Sequence, residues 1–307
     1  MSGGAARADL RATFFATSRV AFAVAARDGR LVDHNDAFAA IAGAPGRDLR
    51  GTSIADHIHP DDRAATLVQF AKAAGAGYWA LAWVNRYGNP ERGWRTVRWT
   101  TWVAPDEDLM CGIAHDITGE QEAATQLSKL AYQDQLTGLA NRALLFEAID
   151  AAILRHEPDG AMAALFLDVD GFKAVNDAHG HAVGDALLRE VGVRLRRAVR
   201  RTDVAARLGG DEFVVVLTGL PLDRRAVREA VARACAELTR ALAEPFVVGE
   251  IRAELGCSIG AAAWPWSGGD AQALLTAADG AMYAAKRDGA VRCALDPALE
   301  ASDVVEG

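Results

Sequence analysis

The sequence predicts a two-domain α+β protein, on three grounds. Its 307 residues are about twice the common domain size. The first 118 residues break into short strand-like and helix-like stretches between turn formers, while the remainder alternates longer helical and strand-like segments. Hairpin signals in that second part imply an antiparallel or mixed sheet covered by helices rather than a doubly wound parallel one.

Composition narrows the class. With 51% hydrophobic and 24% charged residues, the chain has the make-up of an ordinary globular protein. No apolar run approaches the roughly 18 residues of a membrane span, and the start, MSGGAARADLRATFF, lacks the apolar core and cleavage site of a secretory signal. A cytoplasmic location is therefore expected. Cys111, Cys235, Cys257 and Cys293 form no CxxC pair, which suggests reduced, mostly buried thiols and neither a zinc site nor a disulfide framework. Residues 1–118 carry 13 acidic and 13 basic side chains, so the net charge of -8 lies wholly in the second part, with 28 acidic against 20 basic. Such a chain is a poor general binder of nucleic acid, and to handle nucleotides it needs a metal and a few placed cations. Only four lysines occur, Lys72, Lys129, Lys173 and Lys286, against 29 arginines, so each lysine position is informative.

In chain order, an apolar run Val20 to Ala26, a turn at Asp28-Gly29-Arg30, and Leu31-Val32 predict two strands. A small helix follows from Asn35 and a longer one after Pro60. Strand-like stretches Tyr78 to Tyr87, Trp94 to Val103 and Leu109 to Ile117 come next, separated by Gly88-Asn89-Pro90 and Pro105-Asp106-Glu107. The stretch Gly119 to Asp134 has good helix formers and no breaker, so it predicts a connecting helix. Two readings of Leu127, Leu130 and Ala131 stay open: a dimer seam, or apolar residues packing on the next domain. The second part then predicts a helix Asn141 to His156, a buried strand Ala161 to Asp168, a helix Ala182 to Arg200 and a strand pair meeting at Gly209-Gly210. A helix Asp223 to Ala243, strands at Phe246 to Val248 and Ile251 to Ala263, and a helix Asp270 to Arg287 complete it.

The chemistry concentrates at two strand ends. The apolar strand Ala164-Leu165-Phe166-Leu167 ends in Asp168-Val169-Asp170, and Arg207-Leu208-Gly209-Gly210-Asp211-Glu212-Phe213 leads into Val214-Val215-Val216-Leu217. The glycine pair suits a tight hairpin to which a ligand can come close. If the strands are neighbours, Asp168 and Asp211 or Glu212 can share Mg²⁺, with the Val169 carbonyl as a further oxygen ligand. Acidic residues that merely solubilise strand ends are the bland alternative, and it suits one carboxylate better than this set.

Residues 1–118 resemble PAS domains through Asn35-Asp36-Ala37-Phe38, His59-Pro60-Asp61-Asp62-Arg63 and Asp116-Ile117-Thr118. The resemblance implies a sensor, followed by a connecting helix over 119–133. The ligand of the sensor is unknown from sequence. His34, His57 and His59 read more readily as turn or cap residues than as haem ligands, no flavin-photoadduct cysteine motif is present, and Trp79, Trp83, Trp94, Trp99 and Trp102 read as core filling.

Residues 134–298 resemble the GGDEF diguanylate cyclase family, with 299–307 as a tail. The match runs from Asp134-Gln135-Leu136-Thr137-Gly138-Leu139-Ala140-Asn141-Arg142 through Asp168 to Lys173, Asn176-Asp177, His179-Gly180-His181, Gly184-Asp185 and Gly209 to Phe213, to Ala284-Ala285-Lys286. It implies condensation of two GTP into cyclic di-GMP with Mg²⁺ or Mn²⁺ as cofactor. The implied metal ligands are Asp168, the Val169 carbonyl, Asp211 and Glu212, and the catalytic residues Glu212, Asp211 and Lys173. Implied substrate contacts are Asn176 and Asp185 on guanine, Lys173 and Lys286 on phosphate, and Phe172 and Arg207. Guanine offers adjacent N1 and N2 donors to a carboxylate, which adenine lacks. The segment Arg200-Arg201-Thr202-Asp203 matches an inhibitory product site carried by Arg200 and Asp203, the alternative being a basic helix end. Where the family often has arginine four residues after Lys286, this chain has Ala290, with Arg287 or Arg292 as substitutes. One domain holds one GTP, so a homodimer is implied. The rival reading is an idle domain that binds cyclic di-GMP as a receptor. No EAL-type phosphodiesterase domain is expected to follow.

Overall fold

Strand β1 (Ala21–Ala26) buries every second residue, Ala21, Ala23 and Ala25, and the first sheet is built on both its edges. A computed structural model describes residues 10, 12–76, 81–104, 109–156, 160–288 and 292–301, which divide into two units at Thr125/Gln126. In the first unit β1 is followed by β2 (Leu31–His34), α1 (Asp36–Ile41), a 3-10 turn Ile54–His57 and α2 (Pro60–Ala76). Then come β3 (Leu81–Asn89), β4 (Gly93–Ala104) and β5 (Leu109–Asp116), giving an antiparallel sheet of order β2-β1-β5-β4-β3.

Small alanines on β1 leave room for large rings above it. Phe38, Tyr87 and Trp99 fill that space with centroids 5.2 to 6.2 Å apart, in tilted and edge-on arrangements suited to aromatic quadrupoles. Asn35 caps α1: its Oδ1 accepts from the Phe38 amide at 3.0 Å, and its Nδ2 donates to the Val20 carbonyl at 2.8 Å. The histidines serve the fold. His34 Nε2 accepts from the Leu49 amide at 2.8 Å, and His59 meets the edge of Trp94 at 4.6 Å. Trp99 is core, as expected, while Trp102 is 36% exposed. Trp79 and the turn Pro105-Asp106-Glu107 lie outside the described residues.

α3 (Thr118–Tyr132) buries none of its residues, and Leu127 and Leu130 are exposed. The second unit continues with α4 (Arg142–His156), β6 (Gly160–Asp170), α5 (Phe172–His179), α6 (His181–Ala198), β7 (Val204–Gly209), β8 (Glu212–Pro221) and α7 (Arg224–Ala243). A two-stranded ribbon, β9 (Phe246–Val248) with β10 (Ile251–Ala253), precedes β11 (Gly256–Trp264), α8 (Ala271–Asp288), β12 (Cys293–Leu295) and α9 (Pro297–Glu300). The main sheet has the order β12-β11-β6-β8-β7, antiparallel except for the β11–β12 pair.

Central β6 is buried from Gly160 through Val169, and its alternation defines two cores. Leu165, Leu167 and Val169 join Phe213 and Val215 against Leu187 and Val191 of α6 and Val231 and Leu238 of α7. Ala164 and Phe166 join Val214 and Val216 against Leu145 and Ile149 of α4 and Leu274 and Met282 of α8. Each fully buried Val, Leu or Phe contributes about 1.5–3 kcal/mol. Helix α8 lies so close to β11 that a Cβ on Gly260 would collide with backbone of Met282 and Ala278 and sit 2.6 Å from the Ala281 carbonyl carbon.

Several expectations change. A separate helix, α5, precedes α6. The single strand expected over Ile251 to Ala263 is divided at Glu254-Leu255, where Leu255 turns into the core. β12 and α9 were too short to show a period. Cys111 and Cys257 are free, while Cys235 and Cys293 are joined in a disulfide across 58 residues, Cα atoms 6.4 Å apart, which corrects the expectation of reduced thiols for this pair. Their proximity arises from packing of α7 near β12, and no local spacing signals it.

Gly260→Ala is expected to destabilise the full chain by about 1–3 kcal/mol, because the collision is with helix backbone, which cannot rotate away. Gly280→Ala, in the exposed middle of α8 with no atom near its added Cβ, should instead stabilise by about 0.5–1 kcal/mol. Chemical denaturation of both variants checks the pair.

Candidate active site

The register of the second sheet places three polar residues in one row. Ser258 of β11 is opposite Asp168 of β6, and Asp168 is opposite Glu212 of β8. All three occupy the face shared with α4 and α8, and Asp168 and Ser258 are buried. The side chains above them come from those helices. Lys286 of α8 reaches Asp168 Oδ1 at 2.7 Å, and this hydrogen bond raises the Lys286 pKa above its ordinary value. Partial withdrawal from water, then the charges of Asp279, Asp168 and Asp211, push the Glu212 carboxyl above its usual range, against Arg142. Asp279 carried no functional signal in the sequence and Arg142 only closed a family motif without a role of its own; both are drawn in by helix packing.

Carboxylates in excess of nearby cations, with hard oxygen donors, fit a divalent ion such as Mg²⁺. The ammonium of Lys286 already brings positive charge to Asp168. Among the described residues no three acidic, histidine or cysteine side chains converge closely enough to hold an ion as they stand. The donor chemistry fits a metal that completes its shell with water and substrate oxygens.

The β7–β8 hairpin that carries Asp211 is clamped from behind. Gly210 takes φ +50°, and its carbonyl accepts from Arg207 Nε at 2.9 Å and Nη2 at 2.8 Å. Arg207 Nη1 binds both oxygens of Asp134 at 3.1 Å. Burial alone would raise the Asp134 pKa, but the Thr137 hydroxyl and amide and then Arg207 outweigh it and hold the carboxyl below its ordinary value. Arg207 faces the same side of the sheet as its partner Phe213, away from the Asp168 row. The resemblance implied Arg207 as a substrate contact; in the structure its fork holds the Gly210 carbonyl and the Asp134 carboxylate. The Val169 amide also donates to the Asp211 carbonyl at 3.2 Å, tying this turn to β6.

Beyond β6 the chain turns at Gly171, φ +83°, which opens α5 without a side-chain cap, so first-turn N–H groups remain for a ligand. Phe172 is buried and Lys173 exposed. Asn176 faces α6 across Gly184, where a Cβ would strike its Oδ1. That oxygen is buried and has no hydrogen-bond partner. Asp185 is exposed one residue further on α6. Thus α5 and α6 bring Asn176 and Asp185 to one helix pair, while Ala290 lies outside the described residues.

At the far end of the hairpin, Asp203 Oδ2 accepts from the Arg200 amide at 3.1 Å, and its Oδ1 accepts from the Thr218 amide at 3.3 Å. Arg200 and Asp203 line a cleft of about 430 Å³ whose other wall includes Glu229 and Arg233 of α7. The sequence offered no reason to single out Arg233.

Asp134→Asn should cost about 1–3 kcal/mol at pH 7. Since the native Asp134 pKa is depressed, its contribution is full above the ordinary value of 3.8 and is lost as pH falls through the lower native value. The gap between variant and wild type in urea denaturation should therefore narrow in acid.

The comparisons with known proteins agree with this layout. Residues 131–292 match the family model described as diguanylate cyclase, GGDEF domain, and residues 31–112 match a PAS fold model. The chain is 41% identical over 174 residues to the bifunctional diguanylate cyclase/cyclic di-GMP phosphodiesterase MucR of Pseudomonas aeruginosa, covering 56% of this chain and 24% of that protein. It is 41% identical over 181 residues to the cyclic di-GMP phosphodiesterase PdeR of Escherichia coli, covering 59% and 26%. Both alignments span about a quarter of the relative's length. The crystal structure of the coiled coil and GGDEF domain of DgcB from Caulobacter crescentus, in complex with c-di-GMP, aligns with TM-score 0.51 at 27% identity, covering 58% of this chain and 93% of that one. With an antiparallel five-stranded unit leading into this acid-ended sheet, the chain belongs to the GGDEF family and carries a PAS fold ahead of its diguanylate-cyclase-type domain.

Proposed function

We propose that the chain condenses two GTP into cyclic di-GMP and two pyrophosphates, acting as a homodimer in the cytoplasm. The row Ser258–Asp168–Glu212 beside Lys286 and the uncapped start of α5 supports this reading best. Asp168, the Val169 carbonyl, Asp211 and Glu212 would hold Mg²⁺ or Mn²⁺, which when bound neutralises charge on the α-phosphate and the departing pyrophosphate. Lys286 and Lys173 supply cationic contacts for the triphosphate, and Lys173 acts with Asp211 and Glu212 at the reacting centre. Asn176 and Asp185 read the guanine edge, and the orphaned Asn176 Oδ1 gives that reading a donor to seek. Phe172 sits at the start of α5 beneath the nucleotide, and Arg207 keeps the Gly210–Asp211 turn in shape.

One domain can bind one GTP, so each 3′-hydroxyl must attack the α-phosphorus bound by a second copy. The PAS unit then has a role in setting how often two domains meet. Product returning to the Arg200–Asp203 cleft would restrain turnover, with the guanidinium on phosphate or guanine and the carboxylate on the base edge. The cyclic di-GMP bound in the DgcB structure supports recognition of that product by such a domain.

Purified protein with GTP and Mg²⁺ is expected to form cyclic di-GMP, identified by mass. Asp211→Ala and Glu212→Ala should each lose at least about a hundredfold. Absence of product from the wild type, with bound nucleotide removed and Mn²⁺ also tried, would leave the receptor reading in its place. Arg200→Ala should retain initial rate while progress curves stay linear to higher product. Mg²⁺ at ten times its Kd should stabilise the wild type by about 1.4 kcal/mol, and this gain should vanish in Asp168→Ala.

A further inference from the structure

Helix α6 meets α5 at Gly184, a buried glycine, and the space it leaves is taken by the side chain of Asn176. A Cβ on Gly184 would strike Asn176 Oδ1, stand 2.8 Å from its Cγ and come within 3.2 Å of Phe172 Cζ. The Asn176 backbone is fixed separately, its carbonyl accepting from the Gly180 amide at 2.8 Å. Its Oδ1 is buried and has no hydrogen-bond partner among the described residues. Shape therefore holds this amide where a hydrogen bond does not.

What the gap controls differs from the case of Gly260. There an added Cβ meets helix backbone, so the fold itself has to give. At Gly184 the atoms met are the end of an amide and the edge of a ring, and the amide can leave by changing rotamer. Asn176 is half-buried, so its side chain has water to swing into. Alanine also suits a helix better than glycine. A methyl group at position 184 is thus tolerated by the helix pair, and it is the amide that moves.

Asp185 follows Gly184 directly and is exposed. The bare backbone at 184 therefore lets α6 bring an acceptor-only carboxylate to the same helix pair as the Asn176 amide. Guanine carries donors at N1 and N2 beside an acceptor at O6, a pattern that a carboxylate and an amide together match and that adenine lacks. We infer that Gly184 determines base specificity as a positioning residue, its missing side chain keeping the Asn176 amide where it meets guanine, which rests on the proposed reading of the base by Asn176 and Asp185. Gly184 itself touches no part of the nucleotide and acts only through Asn176.

The test is a double-mutant cycle in the full chain, read by calorimetric binding in Mg²⁺ of GTP whose α–β bridging oxygen is replaced by methylene, and of the matching adenine analogue. Gly184→Ala should weaken the guanine analogue about tenfold, as for a displaced hydrogen-bonding group, without weakening the adenine analogue or lowering the melting midpoint. Asn176→Ala should cost the guanine analogue a similar factor. In the Asn176→Ala chain, Gly184→Ala should then change binding by less than about twofold, because the amide it displaces is gone. If Gly184→Ala alone fails to fold, the double variant decides, since it must fold and bind as Asn176→Ala does. Unchanged guanine binding by Gly184→Ala, equal losses for both bases, or a full further loss in the Asn176→Ala chain would overturn the inference alone. An Asn176→Ala chain that binds like the wild type overturns the guanine reading, and a wild type that binds neither analogue overturns the proposed function, each taking this inference with it.

Discussion

Burial of β6 on both faces is the constraint from which the second unit follows. A strand covered on one side by α6 and α7 and on the other by α4 and α8 can carry only apolar side chains until it leaves the sheet. Its first charged residue, Asp168, appears at the end of that covered stretch, and the residues paired with it across the sheet are polar as well. The Ser258–Asp168–Glu212 row is thus the first place where the packing allows a charge.

Alternation along the strand then assigns every neighbour. Because side chains two apart share a face, Asp168 and Asp170 project toward α4 and α8, and cations reach them from α8 and from the chain just beyond it, as Lys286 and Arg292. The same rule sends Arg207 to the opposite face, where it holds Gly210 and Asp134. Two arginines and a lysine in one small region therefore have different partners: Arg207 holds the turn and Asp134, Lys286 pairs with Asp168, and Arg292 pairs with Asp170.

The acidic surplus is tolerated because it is held at the sheet's end rather than inside it. Buried Asp168 has an ammonium against it, Asp170 has a hydroxyl and a guanidinium, and Glu212 remains exposed. Partial burial, and then the nearby charges of Asp279, Asp168 and Asp211, raise the proton affinity of Glu212. The first unit follows the opposite principle. Its interior is filled by Phe38, Tyr87 and Trp99 packed over alanines, and its polar residues Asn35 and His34 are spent on capping and backbone amides.

Much of this was legible in the residues alone. Long periodic segments announced the helices α4, α6, α7 and α8, the uniformly apolar Ala164 to Leu167 announced a buried strand, and Gly209-Gly210 announced the hairpin between acids, since these patterns are local consequences of burial and of backbone freedom. The break before β11, the three-residue β12 and the short α5 left no such trace, because pieces that short complete too few periods to be distinguished. What the residues could not express was which distant groups meet. The Cys235–Cys293 bond, the approach of Asp279 to Glu212, the Asp134–Arg207 clamp and the Asp170–Arg292 pair depend on helix placement and strand register, and the last of these joins residues 122 apart in the chain. Composition and local order therefore determined the kinds of element and the identity of the acids, while packing in three dimensions chose their cations, since an ion pair depends on distance through space and not on spacing along the chain.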